Sequence, residues 1–187
     1  GQKFFQWGQR QLDYDRLEAY KTSTGEQRTW NRQSIDNPAP KYADNPYWTQ
    51  YENFSDDARN RLIGNVSLAY EIIDGLTLKG SAYGDYYNFS IRERVAVGSQ
   101  GTSSYYEANR EYSEYNLEGI LSYNKSFENW GFSALVGANK RNNRYDFLRG
   151  QSSGGLVVPG VYNLNNSSDS PLVGDNTQEK RVNSVFA

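Results

Sequence analysis

Between Leu62 and Tyr86 apolar residues recur at every second position, interrupted once by an Asp-Gly pair. Leu62, Gly64, Val66, Leu68, Tyr70 and Ile72 alternate with Ile63, Asn65, Ser67, Ala69 and Glu71, and only Ile63 and Ala69 break strict period two. After Ile73-Asp74-Gly75 the pattern restarts, with Leu76, Leu78, Gly80, Ala82, Gly84 and Tyr86 on one parity and Thr77, Lys79, Ser81, Tyr83 and Asp85 on the other. Side chains of a β-strand point alternately to its two faces, so this is a strand pair with one apolar and one polar face. An Asp-Gly pair between two such runs predicts a hairpin.

A second hairpin has the same plan. Tyr115, Leu117, Gly119, Leu121 and Tyr123 alternate with Glu114, Asn116, Glu118 and Ser122, a turn spans Asn124 to Asn129, and Trp130, Phe132, Ala134, Val136 and Ala138 line the return. The predicted organisation is an irregular, proline-bearing loop region over 1–60, a hairpin over 61–89, a loop over 90–112, a second hairpin over 113–146, a loop over 147–180 and a cut-short strand over 181–187. Tyr14, Leu17 and Tyr20 behind Asp13 predict one short helix within the first region, between Asp13 and Lys21. Loops above about 12 to 15 residues are uncommon in compact domains and tend to carry function.

Alternating runs of about eleven residues exceed the usual soluble strand and suit a tilted membrane-crossing one, which needs about 9 to 11. Tyr70, Tyr123 and Trp130 fall on the apolar face beside the short turns, and Tyr86 and Tyr115 at the far ends, as two aromatic girdles would. From Tyr115 to Tyr123 the rise at ~3.3 Å per residue and a tilt of roughly 40° gives a band of about 20 Å. The expected fold is therefore all-β: a segment of a large antiparallel transmembrane β-barrel, about four to five strands, with long extracellular loops. Period two is shared with a soluble β-sandwich, for which the matching function is a glycan-binding module.

Composition narrows the chemistry. The 187 residues include no cysteine and no histidine, which removes Ser-His-Asp and Cys-His nucleophiles, His- or Cys-based zinc sites and disulfides. A net charge of -2 without a basic cluster gives no footprint for nucleic acid. Asp56-Asp57 with Glu52 lacks calcium-loop spacing, and Glu107 with Glu111 or Glu114 with Glu118 are carboxylate pairs that nothing singles out for glycoside hydrolysis. The expectation is a chain that is not an enzyme, with no catalytic residues, no metal and no cofactor. The 28 aromatics are the more informative resource. Trp7, Trp30, Trp48, Tyr105 and Tyr106 fall in predicted loops, where flat rings can stack on sugars or peptide side chains, or pack the loops together.

Three segments in order, Asp44-Asn45-Pro46-Tyr47-Trp48-Thr49, then Arg61 to Ile72 with the Asp74-Gly75 turn, then Lys180 to Ala187, resemble the SusC/RagA-type TonB-dependent outer-membrane transporters. Gly8 to Asp13 is similar to the loop preceding the Asn-Pro-Tyr-Trp motif in such proteins. The resemblance implies a 22-stranded barrel around an N-terminal plug, in the outer membrane of a Gram-negative bacterium, importing oligosaccharides or peptides. It implies as partners a SusD-like surface lipoprotein lid, the TonB complex acting through the plug, outer-membrane lipid and the oligosaccharide or peptide itself. No plug, TonB-contacting box or closing strand is found in the sequence, as expected of a piece of a longer chain that contributes wall and vestibule.

Overall fold

The computed structural model describes residues 8–187. Five strands, β1 (Ser55–Ile73), β2 (Leu76–Val95), β3 (Ser104–Phe127), β4 (Trp130–Leu156) and β5 (Ser167–Phe186), form one antiparallel sheet in the order β1-β2-β3-β4-β5. The all-β expectation holds. No helix among the described residues is long and apolar enough to cross a membrane, which leaves crossing by strands open. No second sheet accompanies the five strands among the described residues.

The strands run 19 to 27 residues, far beyond the eleven or so that alternation marks. The loop expected at 90–112 shrinks to 96–103, and that at 147–180 to 157–166, which holds a 3₁₀ turn at Leu164–Asn166. Likewise β5 starts at Ser167 instead of 181, and β1 begins at Ser55 inside the region expected to be loop. The physical reason is that period two is visible only where one face is apolar. A hydrogen-bonded ladder continues wherever neighbouring backbones pair, whatever the side chains.

The first hairpin turns as expected at Asp74-Gly75, but not as a type I′ turn. Gly75 has φ +84° and Asp74 does not have positive φ, whereas type I′ needs both. This is the pattern of a three-residue loop ending in a left-handed glycine, and it keeps the even positions of β1 and β2 on one face. The Ser67 and Ser81 hydroxyls, 3.0 Å apart, sit directly opposite in that register. In the second hairpin Phe127 stacks on Trp130 at 4.2 Å, so β3 runs to Phe127 and the turn narrows to Glu128-Asn129.

Contacts divide the chain into two compact units. One gathers the residues up to Asp57 with Ile91–Ala108 and Arg149–Gly174, and the other Ala58–Ser90, Asn109–Leu148 and Asp175–Ala187. In the first, the predicted helix is a single 3₁₀ turn at Asp15–Glu18, and a short helix α1 (Pro46–Tyr51) is capped by Asn45, whose side chain accepts from the Tyr47 N–H at 2.9 Å. Proline at the first helical position costs no hydrogen bond there. Asn45 is fully buried, its amide donates to the carbonyls of Leu17 and Arg28 at 2.9 Å each, and its own N–H reaches Gln27 Oε1 at 2.7 Å. The Asn-Pro-Tyr-Trp motif is thus the keystone of a small core closed by Trp48, Leu17 and Ala43.

Candidate functional site

In the second unit, Ala58–Ser90 with Asn109–Leu148 and Asp175–Ala187, the two sheet faces differ sharply. On the apolar parity Leu62, Val66, Leu68, Tyr70, Ile72, Leu78, Leu117, Trp130, Phe132 and Val136 all remain exposed, Leu68 to 77%. Tyr70, Tyr123, Phe127, Trp130 and Phe132 collect near the hairpin turns, and Tyr86 and Tyr115 at the other end, as the girdle pattern anticipates.

The opposite parity is a polar wall. Arg61 grips Asp85 with two bonds, Nε to Oδ1 at 3.0 Å and Nη2 to Oδ2 at 2.8 Å. Arg141 donates to Glu114 at 2.8 Å, Tyr112 donates to the same carboxylate at 2.6 Å, and Asn139 donates to Asn116 at 2.6 Å. Tyr87 and Tyr112 stack at 5.3 Å between β2 and β3. Beside them Arg59 lies over Tyr87 and Phe89 at 5.5 and 4.7 Å, and Arg110 over Phe89 and Phe147 at 5.9 and 5.3 Å. Solvent-exposed ion pairs contribute about 0 to 1 kcal/mol each, so this wall does little for stability. Its consequence is shape and chemistry: aromatic trays hold guanidinium groups in place, and neither Arg59 nor Arg110 has a carboxylate in ion-pair range among the described residues. Such a surface offers hydrogen-bond donors to carbonyl, carboxylate or sugar oxygens and flat faces to rings.

Sequence reasoning passed over Arg59, Arg61, Tyr87, Phe89, Arg110 and Tyr112. The available signal was parity: the polar registers of the two hairpins, extended past the girdle tyrosines, place these residues on one face. The Glu114 carboxylate weighed above for acid chemistry is engaged by Tyr112 and Arg141.

The aromatic candidates in the first unit (residues up to Asp57, Ile91–Ala108 and Arg149–Gly174) have different fates. Trp7 lies outside the described residues. Trp48 is only 2% exposed: its indole N–H donates to Ser99 Oγ at 2.9 Å and its ring meets Tyr20 edge-on at 6.3 Å. Its ring is packed inside the core of this unit. Trp30 is half-buried. Tyr105 is 7% exposed and donates to Glu107 at 2.9 Å, and burial first, then that bond, raise its phenol pKa above the ordinary value. Tyr106, its neighbour of opposite parity, lines an open cleft of about 410 Å³ with Asn53, Ser55, Glu93, Ser104 and Gln151. On the Tyr105 parity a smaller cavity of about 180 Å³ is bounded by Phe54, Asp56, Arg92, Arg94 and Tyr162. Among the described candidates, Tyr106 thus borders the larger open cleft and Tyr105 lines the smaller cavity.

No family model matches the sequence, and no curated protein matches it. Among solved structures, the fold is similar to a chain of the RagAB peptide transporter, with TM-score 0.64 and 17% identity over 87% of this chain. The match covers 18% of that chain, so the present sequence spans less than a fifth of its length. At this identity the likeness is one of fold, that of an open five-stranded antiparallel sheet.

Proposed function

We propose that this chain is a wall segment of an outer-membrane, TonB-dependent active transporter of a Gram-negative bacterium, importing oligopeptides or oligosaccharides together with a SusD-like surface lipoprotein. The observation that carries this reading is the two-faced sheet. Leaving ten large apolar side chains 46% to 77% exposed to water forgoes on the order of 10 kcal/mol of transfer free energy, as much as a typical domain's whole stability. That face needs a covering, and girdled by aromatics it matches lipid. The opposite face, with its arginine–aromatic trays and paired charges, suits a hydrated lumen along which a polar oligomer passes by successive weak contacts. In this role the wall binds and guides, and it performs no covalent chemistry. Coupling to TonB, the plug and the lid lipoprotein follow from the family resemblance, and the fold likeness to a peptide transporter supports the transport class.

The sequence contains no cysteine, so single labels are straightforward. Spin labels placed through Leu68→Cys and Ser67→Cys in the membrane-embedded protein are expected to respond oppositely: position 68 relaxed by oxygen dissolved in lipid, position 67 by a water-soluble nickel chelate. Equal access of the aqueous reagent to both positions would overturn the lipid-facing assignment.

A further inference from the structure

Arg94 occupies an unusual position in the first unit. Its guanidinium lies 3.5 Å from the centre of the Phe54 ring and 4.5 Å from that of Tyr162. The clamp is rigid on both sides. The Arg94 N–H donates to the Phe54 carbonyl at 3.2 Å, which fixes the strand pair. Tyr162 belongs to the 157–166 connection, which Asn166 braces by accepting from the Val158 N–H at 2.9 Å and donating to the Val158 and Val161 carbonyls at 2.8 and 2.7 Å. Neither ring accepts a hydrogen bond from the guanidinium, whose N–H groups are left to find acceptors. The Nε is buried without a hydrogen-bond partner. Among the described residues neither Arg94 nor Arg92 takes part in an ion pair or a side-chain hydrogen bond. Both line the cavity of about 180 Å³.

We propose that this cavity is a carboxylate-binding subsite, in which Arg94, clamped between Phe54 and Tyr162, and the exposed Arg92 together receive the acidic group of a small organic acid or an acidic peptide side chain. A planar guanidinium with two aromatic walls presents its fork in one plane, the geometry that pairs with a carboxylate through parallel bonds. Buried polar groups are nearly always partnered, and an unsatisfied arginine Nε beside a cavity is what a site awaiting an acceptor leaves behind. The cavity's charge argues for a monoanion. Asp56 borders it on the same strand parity as Arg92 and Arg94, and Glu93 also lines it, so a phosphate dianion meets about twice the repulsion that a single carboxylate does. The volume admits a carboxylate and a few methylene groups, not a sugar ring chain. The site does not depend on the transport reading, since anion capture here requires neither a barrel nor a lumen.

The test is calorimetric titration of the native protein, extracted in detergent, with the monoanion N-acetylglutamate α-amide as the acid, its neutral counterpart N-acetylglutamine α-amide as the amide, and inorganic phosphate. The expected result is saturable binding of the acid at least about tenfold tighter than of the amide, from charge-assisted bonds. Arg92→Gln, on an exposed side chain, is expected to weaken acid binding about tenfold with no change in melting temperature. Arg94→Lys keeps the charge but loses the fork and is expected to weaken it by at least as much. Acid and amide binding equally, or both variants binding the acid as well as the parent protein does, would overturn the proposal. Phosphate binding tighter than the acid would overturn the carboxylate assignment in favour of a phosphate site.

Discussion

Replacing Asn45 with alanine tests how the first unit is held together. Its side chain makes three bonds in a fully buried setting: it accepts from the Tyr47 N–H and donates to the Leu17 and Arg28 carbonyls. Alanine removes all three and leaves the carbonyl of buried Leu17 without its partner. At a net ~1 kcal/mol per bond the loss is about 3 kcal/mol, of which the helix cap accounts for about 1. The Gln27 contact survives, because it is made by the Asn45 backbone. In hydrogen exchange followed by mass spectrometry, about 3 kcal/mol corresponds to roughly a hundredfold more frequent local opening. That increase should appear in peptides covering 17–31 and 96–100, the second through Gln27 and Asp44, which bond Gly98 and Gln100. Peptides covering 62–86 should exchange as before. Asn45→Asp separates the terms: it keeps the cap acceptor but turns an oxygen toward two carbonyls, and should open at least as often as the alanine variant. An opening rate that rises less than threefold for alanine, or that aspartate restores, would refute the keystone argument.

Two further outcomes follow from local geometry and charge. Gly75→Ala forces a side chain into φ +84° and sets a Cβ 2.3 Å from the Asn124 carbonyl oxygen, so a loss of about 2 kcal/mol or more is expected, seen as a lower melting temperature of the detergent-solubilised protein. In the N-terminal core, Lys21 is held above its ordinary pKa by its hydrogen bond to Glu52, 2.6 Å away, and Tyr20 is raised first by burial and then by the Glu52 charge. Both groups hold their protons more tightly folded than unfolded. Their contribution is complete below about pH 10 and declines as pH rises through the raised values, and Lys21 is too exposed for the effect to be large. Protease cleavage within 15–30 should accelerate above about pH 10, and Glu52→Gln should flatten that dependence.

The strand character of this chain was legible wherever a single face is apolar. Leu62 to Tyr86 and Tyr115 to Ala138 announce two hairpins because apolar and polar positions alternate there, and the Asp74-Gly75 pair marks its turn because only the glycine reaches positive φ without strain. Beyond Tyr86 the apolar side chains change parity, to Tyr87, Phe89, Ile91 and Val95, and before Tyr115 both parities are largely polar, so the single-face pattern ends, yet the strands continue to Val95 and back to Ser104 because backbone pairing does not depend on side-chain polarity. The same loss of pattern hid the polar wall. Arg59, Tyr87, Arg110 and Tyr112 are distant in sequence, and only the register between strands stacks them. Trp48 shows the converse limit. Its motif is legible in the sequence, but whether a tryptophan in an irregular region faces a ligand or the core rests on three-dimensional partners, here Ser99 and Tyr20. Sequence alone determined the alternation, the turn glycine and the absence of His and Cys chemistry, because these depend on local backbone geometry and composition. Only the tertiary structure decided which arginines lie unpaired on aromatic faces and which aromatics are spent on packing, because those outcomes depend on distances between residues brought together by strand register and loop closure.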